Sequence, residues 1–206
     1  MKPPPPPYVR RGGAPPPPQR SSRRWTFVVL FALLTLIAFT LARVFAVANR
    51  VTAPTTPTSV PFTDPTDHFT ATYRGNPSEK AQTTAVGNRS IREVLWTYTL
   101  NSDTSEIVGY ADFPTNFTVA DPNNALDDSV NVEVRNSHGS LVSKKFGSYQ
   151  GFKSVDALIS AAGVHIETRT VLAGRTLYVI VVTSLKNPPE LFDGFANSLR
   201  VLNHAA

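Results

Sequence analysis

Apolar and polar residues alternate along most of the chain after residue 68, in short runs that turn residues interrupt. Phe69, Ala71 and Tyr73 alternate with polar residues before a Gly-Asn-Pro turn at 75–77, a pattern typical of a strand with one buried face. Leu177 to Val182 is apolar at every position, so we expect that strand to lie at the centre of a sheet. Other strands are predicted at 94–100, 107–113, 141–147, 152–159, 163–172 and 175–183, with a tight hairpin at Ala173-Gly174.

Two helices are predicted among these strands. Asp121 followed by Pro122 is a typical helix start, with an N-cap and a proline at the first helical position, and this helix is expected to close at Gly139. A second helix is expected to begin at Asn187-Pro188. Apolar residues at helical spacing would turn both helices toward the sheet: Leu126, Val130 and Val134 in the first, and Leu191, Phe192, Phe195 and Leu199 in the second. The predicted fold class is α+β, an antiparallel β-sheet flanked by helices in an α/β/α sandwich.

An uncharged and mainly apolar run precedes this domain. Trp25 to Ala42 spans 18 residues, about 27 Å as a helix, which is close to the thickness of the bilayer's hydrocarbon core. The charges before it are all positive, and such an excess keeps the N-terminal side in the cytoplasm. We therefore predict one transmembrane helix at 25–48, a signal anchor at the cell membrane, with the C-terminal domain outside. An alternative is cleavage after Ala46-Val47-Ala48, which would give a secreted protein beginning at Asn49.

The segments around this helix lack a globular pattern. Residues 1–24 are rich in proline and arginine and are expected to form a disordered cytoplasmic tail. Residues 49–67 are rich in threonine and proline and are predicted to be an extended linker. The extracytoplasmic α+β domain is assigned to 68–206.

The distribution of charge excludes a nucleic-acid partner. The formal net charge is +5, from twenty basic and fifteen acidic residues. Eight of the basic residues and none of the acidic ones lie in the first fifty residues, so the remainder carries −3. The domain therefore has no basic excess to neutralise phosphates. It has no cysteine, so its stability rests on its core rather than on disulfides or thiolate metal sites.

No catalytic or cofactor-binding motif is present, and we expect no cofactor and no metal. His165, Glu167 and Arg169 alternate on one predicted strand face; they could begin a metal or acid–base site, but a solvated charged face is the simpler interpretation. Three further sets of residues have structural explanations. A strand cap and polar loop explain Asp64, Asp67 and His68. Helix capping explains Asp121, Asn123, Asp127 and Asp128, although their oxygens would suit Ca²⁺. The core or its rim, rather than an aromatic ligand surface, is the expected place of Trp96, Tyr98 and Tyr110. Glycosylation sequons at 88–90 and 116–118 matter only in a eukaryotic secretory route.

Residues 68–202 resemble the PsbP-like α/β/α domains of exported actinobacterial proteins and lipoproteins. Besides the midchain helix, the resemblance rests on His68–Tyr73 with its turn, Tyr149–Phe152, Arg175–Tyr178 and Phe195–Leu199. Gln150 departs from the proline that is usual in that family. The resemblance implies a binding or accessory module, often an auxiliary part of a membrane complex, and it transfers no active-site residue.

These observations predict a single-pass cell-envelope protein whose outer domain is a non-enzymatic binding or accessory module. Its expected partners are the membrane and an envelope or membrane protein. We expect no catalytic, cofactor-binding or metal-binding residues. Two alternatives stay open at this point. One is an exported hydrolase with a site assembled from distant residues. The other is a function in the proline-rich tail, with the outer domain as a sensor.

Overall fold

The computed structural model describes residues 59–66, 68–86, 89–101, 104–115, 119–185 and 189–202. Within them, no helix is long and apolar enough to cross a membrane. The predicted tail 1–24, the predicted span 25–48 and most of the predicted linker lie outside the described residues.

The described elements form two antiparallel sheets and two helices, in agreement with the predicted α+β class. In chain order they are β1 (Val60–Thr63), β2 (Phe69–Tyr73), β3 (Ser78–Val86), β4 (Arg89–Asn101), β5 (Thr104–Asp112), α1 (Pro122–Asn136), β6 (Ser140–Tyr149), β7 (Phe152–Ala161), β8 (Val164–Ala173), β9 (Thr176–Ser184), α2 (Pro189–Ser198) and β10 (Arg200–Val201). The large sheet has the order β3-β4-β5-β9-β8-β7-β6, and the small sheet has the order β1-β2-β10.

β9 is the middle strand of the seven, as its continuous apolar run predicts. Every residue of β9 is buried, and the same holds for β5 up to its last residue. Side chains such as Val179 and Val181 point into one core cluster, whereas Tyr178 and Ile180 point into the other. Both faces of the sheet are therefore covered, because a strand alternates its side chains between the two faces.

Helix α1 covers one face of the large sheet. Asp121 is its N-cap, accepting hydrogen bonds through Oδ1 from the backbone N–H groups of Asn123 (2.9 Å) and Asn124 (3.2 Å), so the predicted start is confirmed. Leu126 and Val130 are fully buried against the sheet. The helix ends at Asn136, three residues before the predicted Gly139, because His138 adopts a left-handed φ of 51° and breaks the helical path.

The opposite face is covered by α2 together with the small sheet. Phe62 of β1 contacts three other aromatic rings, and its centroid lies 4.6 Å from that of Trp96. Phe192 and Phe195 of α2 pack into the same cluster, and Tyr73 meets Phe195 edge-on at 5.0 Å. Leu199 is fully buried, as expected, but it follows the helix.

Three strands and one turn differ from the sequence expectations. β10 was not predicted and pairs with β2 over two residues only. β1 lies inside the predicted linker and pairs along four residues with β2, so the fold begins before residue 68. β3 was not predicted, because its sequence has no large apolar alternation, and it owes its strand conformation to nine paired positions with β4. Ala173 belongs to β8 and pairs with Thr176, so the hairpin turn is Gly174-Arg175 rather than Ala173-Gly174.

Candidate functional site

β6 is an edge strand of the large sheet, and it is exposed along most of its length. Eight of its ten residues are exposed and two are partly buried. Of the five exposed large hydrophobic residues in the described part of the chain, three lie on β6: Leu141, Val142 and Phe146. The strand also carries Lys144 and Lys145 and no acidic residue. An edge that combines free backbone groups with exposed apolar side chains is where another chain can pair.

A groove of about 330 Å³ opens beside this strand. Its floor includes Gly147 of β6 and Ser154 of β7, which face each other across the ladder. Gly147 has no side chain and that of Ser154 is small, so the sheet surface is low at this point. Lys145, Arg169 and Asn197 line the walls. The groove is thus formed by three neighbouring strands and the end of α2.

Arg169 is held rigidly in the wall of the groove. Its Nε and Nη2 donate to the two carboxylate oxygens of Asp156 at 2.8 and 2.9 Å, and its Nη1 donates to Oδ1 of Asn197 at 3.0 Å. The guanidinium also lies 4.8 Å from the ring centroid of Tyr149, a cation–π arrangement. The hydrogen bonds with Asp156 raise the pKa of Arg169 above its ordinary value. These hydrogen bonds use three of its five N–H donors, and the side chain is only 12% exposed.

The tip of the β6–β7 hairpin fixes the far wall. Gln150 and Gly151 have φ values of 52° and 85°, which suit a two-residue turn between strands. The side chain of Gln150 donates to the carbonyl oxygen of Leu199 (2.8 Å) and accepts from the N–H of Val201 (3.1 Å). The Tyr149 hydroxyl lies 2.8 Å from the carbonyl oxygens of Ala196 and Leu199. These bonds lock the end of α2 and β10 against the hairpin, so the groove is preformed.

Lys145 supplies a second positive charge at the mouth of the groove. It pairs in register with Asp156 across the β6–β7 ladder, but that carboxylate is taken up by Arg169 in a bidentate pair. Lys144, on the other face, forms an ion pair with Asp127 of α1. The described residues provide no such ion pair for Lys145, whose ammonium group faces solvent. The groove therefore suits a polar or anionic group that Lys145 can neutralise.

His165, Glu167 and Arg169 share one face of β8, as predicted, but they do not assemble into one site. Burial raises the pKa of Glu167, and the negative charge of Asp193 adds to the shift while His165 opposes it. No hydrogen bond between His165 and Glu167 is found among the described contacts, and the Nδ1 of His165 is buried without a partner. Arg169 alone of the three contributes to the groove.

The predicted polar loop at Asp64 and His68 is a hydrogen-bonded network. Asp64 is 2% exposed and accepts a hydrogen bond from the Trp96 indole N–H at 2.9 Å. Its Oδ2 also accepts from the Thr66 hydroxyl at 2.5 Å. The His68 ring stacks on Tyr110 with centroids 4.0 Å apart, and burial raises the pKa of Tyr110 to about 12.

Thr66, His68 and Asp112 are arranged like the nucleophile, histidine and carboxylate of a catalytic triad, but the hydrogen bonds differ from those of a triad. Nδ1 of His68 lies 2.8 Å from the Thr66 hydroxyl, and its Nε2 lies 2.9 Å from Asp112. However, the single hydroxyl proton of Thr66 is directed to Asp64 and not to His68. Asp64 instead ties β1 and the following turn to the core.

The remaining sequence candidates have structural roles or fall outside the description. Trp96 and Tyr110 are buried and Tyr98 is partly buried, so the expected core or rim placement of these aromatic residues is confirmed. Asp127 bonds to Asn131 and Lys144. Within the described residues, no group of three or more His, Cys, Asp and Glu side chains could hold a metal ion. Asp67, Asn88 and the sequon at 116–118 lie outside the described residues.

Comparison with solved structures identifies the fold. The cyanobacterial PsbP (CyanoP) from Synechocystis sp. PCC 6803 is similar at a TM-score of 0.51 and 12% sequence identity, covering 74% of this chain and 98% of that protein. A protein from Bacteroides thetaiotaomicron matches at 12% identity, with a TM-score of 0.34 and coverage of 69% of this chain and 48% of that one; so low a score carries no argument. By sequence, no family model and no curated protein matches the chain. The predicted PsbP-like fold is confirmed at the level of fold.

Proposed function

We propose that this PsbP-like domain is a non-enzymatic binding module, carried on the outer side of the cell membrane as an accessory subunit of a membrane protein complex. One observation carries the proposal: the fold covers both faces of its large sheet but leaves the ten-residue β6 edge exposed. Of the five large hydrophobic residues that are exposed in the described part of the chain, three lie on this strand. Exposed apolar side chains concentrated on one element are typical of an interaction surface.

The construction of the groove supports binding rather than catalysis. Arg169 donates to Asn197 and lies over the ring of Tyr149, whose hydroxyl donates to the carbonyl oxygen of Ala196. The site therefore needs little reorganisation when a partner docks. None of the described groups lining it is a nucleophile hydrogen-bonded to a general base, which the hydrolase alternative requires.

The membrane part of the proposal rests on the sequence. The apolar run at 25–42 behind a purely basic tail favours an uncleaved anchor with the N-terminus inside. The predicted linker would then hold the domain close to the membrane surface, where membrane proteins are the most accessible partners.

The test is purification of the full chain from membranes of its native host in a mild detergent. We expect a membrane protein to co-purify in a fixed ratio and to be lost when Phe146 and Val142 are both changed to Ser. The matched control is Leu185→Ser, which removes an exposed apolar side chain elsewhere. A reproducibly solitary protein would argue against the accessory role.

Topology is tested on the same material. We expect the chain to keep residues 1–24 and the domain to be cleaved by protease added outside intact cells. A mature N-terminus at Asn49 would instead show a secreted protein.

A further inference from the structure

We infer that β6 pairs with an extended, acidic segment of the partner protein, which adds a strand to the large sheet and places a carboxylate at the groove. This inference rests on the proposed binding function and specifies its partner by chemistry. In strand addition, backbone hydrogen bonds provide the affinity and alternate side chains provide the specificity.

The free edge is regular over most of its length. The ladder between β6 and β7 is continuous from Ser143 to Tyr149 and is irregular only between Leu141 and Ser143. A strand at the end of a sheet presents unpaired N–H and C=O groups along its outer side. Seven residues of β6 can therefore accept a partner strand of ordinary length.

The two faces of β6 specify different side chains on the added strand. On the groove face, Lys145 offers a positive charge that forms no ion pair among the described residues, and Gly147 leaves space because it lacks a side chain. A carboxylate on the added strand beside these residues lies at the groove mouth, near Lys145 and the guanidinium of Arg169. On the other face, Phe146 is 43% exposed and favours an apolar neighbour. The matching segment thus alternates acidic and apolar residues.

Charge argues against a second copy of this chain as the occupant. Two β6 strands would bring two uncompensated Lys145 side chains to one edge, and the strand offers no carboxylate in exchange. Like charges on adjacent strands destabilise pairing, and lysine on an edge strand is a common device against self-association. An acidic partner strand avoids this repulsion, because its carboxylate attracts Lys145.

The experiment uses site-specific photo-crosslinking of the full chain in its native membranes. A photoreactive residue replaces Ser148 on β6 in one variant and Thr83 on β3, at the opposite edge, in the other. We expect crosslinks from Ser148 only. Mass spectrometry of the crosslinked peptide should identify a segment with alternating acidic and apolar residues.

Charge reversal then tests the chemistry. Lys145→Glu is expected to lower the crosslink yield at Ser148 by about tenfold, since an attraction becomes a repulsion at a partly desolvated edge. Lys80→Glu on β3 makes the same change of charge at the other edge and should leave the yield unchanged. The expected loss should shrink at high salt.

The outcomes separate this inference from the proposed function. A crosslink from Ser148 to a second copy of this chain, to a basic segment, or with a yield insensitive to Lys145→Glu overturns the inference. A co-purifying partner that crosslinks only from Thr83 also overturns the inference. In each of these cases the proposed binding function stands, unless the captured protein is this chain alone. Absence of both crosslinks and any co-purifying protein overturns both.

Discussion

Glu133 makes the stability of this domain depend on pH in an unusual direction. It lies on α1, faces the large sheet and is only 3% exposed. Burial disfavours its charged form and raises its pKa from 4.5 to about 7. In the unfolded chain the carboxyl has its ordinary pKa, so between about pH 4.5 and 7 the folded protein holds a proton that the unfolded chain has released. Stability is therefore highest below this window and falls as the pH rises through it.

The size of the effect follows from the two pKa values. A difference between 4.5 and about 7 corresponds to about 3 kcal/mol of lost stability once the carboxylate is ionised in the fold. Glu133→Gln keeps the shape of the side chain and cannot ionise. We expect it to be nearly neutral at pH 4.5 and to stabilise the domain by about 3 kcal/mol at pH 8, which is a large part of the total stability of a small domain.

The assay is urea denaturation of the chain beginning at Asn49, which keeps every described residue. Trp96 is then the only tryptophan, and its buried ring reports unfolding by fluorescence. Glu79→Gln, on a side chain that is 40% exposed, is the matched control and should change stability by less than about 0.5 kcal/mol at either pH. An equal effect of Glu133→Gln at both pH values would refute the assignment of a raised pKa to this carboxyl.

Four further substitutions test other contacts by denaturation, one of them together with amide exchange. Asp64→Ala should cost about 2 kcal/mol, because the buried indole N–H of Trp96 loses its acceptor; a cost below about 0.5 kcal/mol would contradict this role. Gly139→Ala should lower the free energy of unfolding by about 1–3 kcal/mol, since a Cβ there would lie 2.8 Å from a backbone oxygen. Gly194→Ala on α2 meets open space and should raise the free energy of unfolding by about 0.5–1 kcal/mol. Effects of equal sign would show that the space around each Cβ does not determine the change in stability. Arg169→Lys should cost about 1 kcal/mol and speed amide exchange at the end of α2, because a lysine cannot make the bidentate pair; unchanged exchange would mean that the guanidinium does not hold the helix.

Sequence patterns predict the elements whose own residues settle their conformation. β9 is apolar at every central position, so both its existence and its central place were predictable. The start of α1 was predictable from Asp121 and Pro122, because capping depends on residues three or fewer apart. β3 and β1 carry no such local signal; each becomes a strand through pairing with a neighbour.

The candidate site was predictable only in part, for a related reason. The alternation of β8 places Arg169 on the correct face, but its partner Asp156 is brought opposite it by the register between β7 and β8. Asn197 comes from a helix 28 residues away in sequence. Likewise, the sequence around Asp64 indicates only a polar loop, because nothing near it in sequence indicates its bond to Trp96, which is 32 residues distant.

The attachment of β1 gives the domain a mechanically weak end. β1 pairs with β2 through only four residues and lies at the edge of the small sheet, whereas the strands of the large sheet are paired along eight or nine positions. A pulling force applied ahead of residue 59 would therefore peel β1 away first, and with it Phe62, the lid of the aromatic cluster around Trp96. The seven-stranded sheet would keep its own pairing. The chain would therefore lengthen by the few residues of β1 under tension, and β1 would pair with β2 again when the force is released.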